Sequence, residues 1–110
     1  MMEELYAKFL PQFLELARDR MQRAYATVAR PEGAALTVMV RDLHGIAGEA
    51  GLLGLAKIVP LARSAEDQAK RLRDGGAGEG ADTKALVSAL DELQGAIESL
   101  GGTAKPKEST

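Results

Sequence analysis

The sequence predicts an all-α protein, an antiparallel up-down bundle of four helices, and three observations carry that prediction. Leu and Ala dominate the apolar residues while aromatic residues make up only 4%, a mix that suits helix over pleated sheet. Four segments repeat apolar residues at helical spacing, and almost nothing alternates with the period of a strand. The connections between those segments are short, which favours antiparallel neighbours.

The first helix is expected over residues 3–29, with Leu5, Phe9, Phe13, Ala17, Met21, Ala24 and Val28 on one stripe. Pro11 lies inside it and predicts a kink or a short separate opening helix. Arg30-Pro31-Glu32-Gly33 breaks the pattern, and Pro31 suits the first turn of the next helix. That helix is expected over 32–53, burying Leu36, Val40, Leu43, Ala47, Ala50 and Leu53, with Gly51 and Gly54 marking its end. A third should cover 55–73, with Ile58, Ala62, Ala65, Ala69 and Leu72 inward and Pro60 tolerated in its first two turns.

Residues 74–81 read as a flexible Gly-rich loop, after which Asp82 or Thr83 can cap the last helix. That helix carries Leu86, Leu90, Leu93, Ile97 and Leu100 in alternating steps of four and three, and Gly101-Gly102 should end it. The bundle is thus expected over 1–101, with 102–110 a polar disordered tail or linker. A linker there leans toward a fragment of a larger protein.

Composition excludes several function classes. The 110 residues make one ordinary domain, and 45% hydrophobic content is enough for a core. A net charge of -2 provides no basic field for nucleic acid or an anionic membrane. The absence of cysteine removes disulfides, thiol catalysis and thiolate metal sites, and one histidine offers too few ligands for a typical metal centre. No apolar run can span a bilayer and no signal peptide opens the chain, so a cytoplasmic location is expected. No glycine fingerprint, nucleotide loop or nucleophile–histidine constellation supports an ATP site or a hydrolase.

His44 is the single histidine, one residue beyond the core position Leu43 and therefore at the edge of the buried stripe. Arg41, Ala47 and Gly48 are its neighbours at helical spacing. Glycine inside a helix costs about 0.5–1 kcal/mol relative to alanine, so Gly48 asks for a reason. One is close packing against another helix; the other is that the ring of His44 must stay uncovered for a partner. Periodicity leaves both open.

The string from His44 through Gly48 to Leu53-Gly54 resembles the signature of histidine phosphotransfer domains, in which glycine follows the phosphorylated histidine at +4 and Leu-Gly at +9 and +10. The segment Leu61-Ala62-Arg63-Ser64-Ala65-Glu66-Asp67 is similar to the third helix of the phosphotransfer domain of CheA-type chemotaxis histidine kinases. There a glutamate 22 residues after the histidine accepts a hydrogen bond from its ring, and Glu66 falls at that spacing. The resemblance covers most of the chain, from Leu5 to Leu100.

The resemblance implies a phosphoryl carrier in a two-component relay. His44 would be the phosphoacceptor, Glu66 would hold its Nδ1–H, and Nε2 would take and return the phosphoryl group. Imidazole is nucleophilic only when neutral, and a carboxylate on one nitrogen fixes the tautomer that frees the other. The partners implied are a histidine kinase catalytic domain and a response-regulator receiver domain, and these would bring the ATP and Mg²⁺ that this domain has no means to bind. A receiver would dock around Ala47, Gly48 and Leu52. One departure stands out. The family's lysine at +3, credited with stabilising the phosphoryl charge, is Ala47 here. Arg41 is the candidate replacement for that charge. A degenerate domain that binds kinases or receivers without carrying phosphate is the rival reading, and a plain helical adaptor is a second.

Overall fold

The structure is a computed structural model that describes residues 2–75 and 80–104. It contains α1 (Met2–Ala29), α2 (Gly33–Leu52), α3 (Ile58–Gly75) and α4 (Gly80–Ala104), and no strand among the described residues. Each helix packs on its neighbours in the chain, and α1 closes the ring against α4. This is the four-helix up-down bundle that the periodicity predicts. The α2–α3 seam is the most extensive of the four.

The core lies along the predicted stripes. Leu86, Leu90, Leu93 and Ile97 are all fully buried, each removal from water stabilising the fold by roughly 1.5–3 kcal/mol. On α3, the small side chains of Ala62, Ala65 and Ala69 are fully buried and let the neighbouring backbones come close. Met39 and Ile46 on α2 and Leu14 on α1 join the core beyond the expected stripes.

Several expectations need correction. α1 is one continuous helix through Pro11, neither broken nor preceded by a separate helix. The roughly 3 kcal/mol cost of an interior proline is offset by burial of Phe13, Leu14, Ala17, Met21 and Ala24 on the same helix. Phe9 is not in the core but 39% exposed. With 28 residues against 20, α1 outruns α2, and its opening turns find little to cover them. The side chain of Leu5 lies outside the described residues.

At the start of α2, Glu32 is extended (φ -133°, ψ 151°) and its carbonyl accepts the first helical bond from Leu36 N. Pro31 therefore precedes the cap and is not in the first turn. α3 begins at Ile58, three residues later than expected, because Leu55 folds inward and is buried. Gly54 makes the turn possible with φ +73°, and Leu55 N bonds back to Ala50 O. Pro60 is then the third helical residue, where its missing N–H costs nothing. α4 starts at Gly80, so Asp82 and Thr83 lie within the helix and not at the position that precedes it, and it continues past Gly101-Gly102 to Ala104. Asp74 and Gly75 belong to α3; residues 76–79 of the expected loop and 105–110 of the expected tail lie outside the described residues. Among the described residues, no helix is long and apolar enough to cross a membrane.

Candidate functional site

His44 stands on α2 with 73% of its side chain exposed, while the residues around it in sequence, Leu43, Ile46 and Ala47, are buried. The helix thus anchors the ring at its base and presents it to solvent. Across the α2–α3 seam, Glu66 occupies the edge of the α3 stripe with only 8% of its side chain exposed. The two meet: Nδ1 of His44 lies 3.1 Å from Oε2 of Glu66. An ionised carboxylate can only accept, so the ring must donate from Nδ1–H. In the neutral ring this tautomer keeps the lone pair on Nε2, directed away from that bond.

The same Oε2 lies 3.4 Å from Nζ of Lys70, four residues further along α3. Lys70 is a site residue that the sequence reading missed. Its signal was present in the Glu66–Lys70 spacing, but this pattern is common on exposed helix faces and becomes distinctive only when the acid is buried.

Arg41, one turn before His44, is exposed and makes no ion pair with another described residue. Gly48, one turn after, is also exposed, and an added Cβ there would meet nothing within 4 Å. Close helix packing therefore does not account for this glycine. Ala47 is buried, which leaves Gly48 and Leu52 as the docking candidates at the surface. Leu52 is 82% exposed and borders an open apolar groove with Phe9, Leu16 and Leu53.

The opposite flank of α2 is tied to α1 by two ion pairs. Arg20 Nη1 bonds Glu49 Oε1 at 3.0 Å, and Arg23 grips both oxygens of Asp42 at 3.0 and 3.3 Å. The hydrogen bond that Arg23 donates to Asp42, and then the charge of Asp42, raise the guanidinium further above its ordinary range. Arg20 passes over Gly45, where a Cβ would stand 3.0 Å from Nη1, so the residue beside His44 is small to admit this strut.

Comparisons with known proteins bear on the family of the whole bundle. The family model described as Hpt domain matches residues 8–103. A relative, the gliding motility regulatory protein of Myxococcus xanthus, is 36% identical over 104 residues, which is 91% of this chain and 13% of that protein. The chain therefore spans a small part of the relative that it matches. No solved structure matches it. A match over nearly the whole bundle, on a chain whose lone histidine stands exposed at its helix edge, places this protein in the Hpt domain family.

Proposed function

We propose that this domain is the phosphoryl carrier of a two-component relay of the chemosensory, CheA-like kind. His44 accepts phosphate from a kinase ATP-binding domain or a receiver and passes it to a receiver-domain aspartate. The observation that carries the reading is the His44–Glu66 bond, in which one ring nitrogen is held by a buried carboxylate and the other is open to solvent. The name of the Myxococcus relative, a gliding motility regulatory protein, supports a signalling setting for the piece of chain that it shares. A cytoplasmic location follows from this partner set.

In the forward step the Nε2 lone pair attacks the γ-phosphorus of ATP held by the kinase domain. The N–P bond forms as the bond from phosphorus to the β,γ-bridging oxygen breaks, and that electron pair leaves with ADP. In the return step a receiver carboxylate oxygen attacks phosphorus and the N–P pair goes back to Nε2. Nδ1 keeps its proton throughout, so the phosphorylated ring is cationic and Glu66 supplies the compensating charge. Mg²⁺ and ATP belong to the partner domains. The receiver seats on the exposed face from Arg41 and Gly48 to Leu52, a small interface suited to a transient encounter. Arg41, one turn before His44, would supply the cation for the phosphoryl oxygens.

The deciding experiment is phosphorylation by the cognate kinase core with labelled ATP, comparing wild type with His44→Gln. Acid-labile, base-stable label that vanishes in the variant is the expected result. Ala47, in place of the family's lysine, favours the second reading of a docking module that carries no phosphate. Absence of label with fold and receiver binding intact would select it, and Ala47→Lys would then be the variant to restore transfer.

A further inference from the structure

Both polar contacts of the buried Glu66 carboxylate converge on Oε2, from His44 Nδ1 at 3.1 Å and Lys70 Nζ at 3.4 Å. A buried carboxylate requires a positive partner, because desolvation of an uncompensated anion is expensive. Two groups can supply it here. His44 can do so by taking up a second proton, and Lys70 does so with its ammonium. The first solution defeats the chemistry, since an imidazolium has no lone pair on Nε2.

We propose that Lys70 is a positioning residue for His44, the resident counter-ion that lets Glu66 orient the ring without protonating it. The proposal rests on the reading of His44 as phosphoryl acceptor. The other charged groups are differently engaged. Arg41 on α2 and Arg63 on α3, one turn before His44 and Glu66, are exposed and pair with no described residue, as is Asp67 beside Glu66. On α1, Arg20 and Arg23 are held by Glu49 and Asp42 at the other flank of α2. On α4, Asp91 and Glu98 bond Tyr25 and Gln94. Among the described residues Lys70 is the one side-chain ammonium or guanidinium in contact with Glu66. Its half-exposed position, with four methylenes between backbone and charge, lets it reach the buried oxygen while staying hydrated itself.

The test compares wild type, Lys70→Met and Lys70→Arg in two measurements across pH. One follows the ring resonances of the lone histidine by NMR. The other follows phosphorylation by phosphoramidate, where the Nε2–P bond forms as the donor's P–N bond breaks and ammonia leaves. Without Lys70, Glu66 draws its compensation from the ring, so Lys70→Met keeps the imidazolium signature to higher pH than wild type. Its phosphorylation is expected to be about threefold to tenfold slower at pH 6.5 and within about twofold of wild type at pH 8.5. Lys70→Arg restores the wild-type profile in both. Superimposable ring titrations for wild type and Lys70→Met overturn the proposal. A loss of rate equal at every pH overturns it too, since that marks a structural role only. His44→Gln is the control: if it takes up as much phosphate as wild type, the acceptor assignment fails while the ring titration still reads the effect of Lys70.

Discussion

Gly48 stands one helical turn beyond His44 on the same exposed face of α2, and a Cβ added there would meet nothing within 4 Å outside its own stretch of helix backbone. Folding therefore gains nothing from this glycine, which weakens its own helix. Gly48→Ala is expected to stabilise the domain by about 0.5–1 kcal/mol. Gly48→Gln should fold equally well yet slow transfer to the receiver by obstructing approach to the ring. Denaturant unfolding and receiver transfer, measured on both variants, should move in opposite directions. A glutamine variant with wild-type transfer would remove Gly48 from the docking surface.

Glu66→Gln keeps the shape of the side chain but loses the charge that steadies the cationic, phosphorylated ring. Phosphorylation should slow by roughly tenfold to a hundredfold, the scale of a misaligned reacting group, while the helical circular dichroism stays that of wild type. Glu66→Ala should be slower still. Unchanged rates in both would leave the His44–Glu66 bond without a role in transfer.

Arg41→Ala should leave stability within about 0.5 kcal/mol, because the side chain is exposed and makes no ion pair with a described residue. If Arg41 neutralises the phosphoryl group in place of the family's lysine, transfer slows by about threefold to tenfold and its salt dependence weakens. A rate indistinguishable from wild type at low salt would end that assignment.

The Tyr25 hydroxyl donates to Asp91 Oδ1 at 2.6 Å and ties α1 to α4. Burial first, and this hydrogen bond second, raise the phenol above its ordinary range. The folded state thus holds the proton more tightly than the unfolded state does. That stabilisation is complete below about pH 10, the ordinary phenol value, and is lost as pH rises through the folded-state value. Tyr25→Phe should cost about 1 kcal/mol at pH 7 and lose less stability than wild type on passing above pH 10. Equal alkaline losses in the two proteins would show that Tyr25 does not carry the effect.

Helix ends and partners, in contrast to helix faces, were poorly legible in the chain. Leu55 reads as the first residue of α3, yet it turns into the core behind Gly54 and delays the helix to Ile58. Phe9 fits the α1 stripe by spacing but lies on an open groove and stays 39% exposed. Local periodicity says which way a side chain points around its own axis and nothing about whether another helix reaches that far. The stripe Leu86, Leu90, Leu93, Ile97, by contrast, is wholly buried, because in a bundle nearly every turn of a helix meets a neighbour.

By itself the sequence determined the four-helix architecture and the candidacy of His44, since apolar periodicity and a lone histidine at the stripe's edge are properties of one helix at a time. The tertiary structure alone decided what surrounds that histidine. It showed Gly48 facing open space and not a packed helix, Ala47 sealed in the core, and Lys70 sharing one oxygen of a buried Glu66. Those relationships depend on the spacing and rotation of α2 against α3, and burial turns an ordinary Glu–Lys pair into a charge that must be answered.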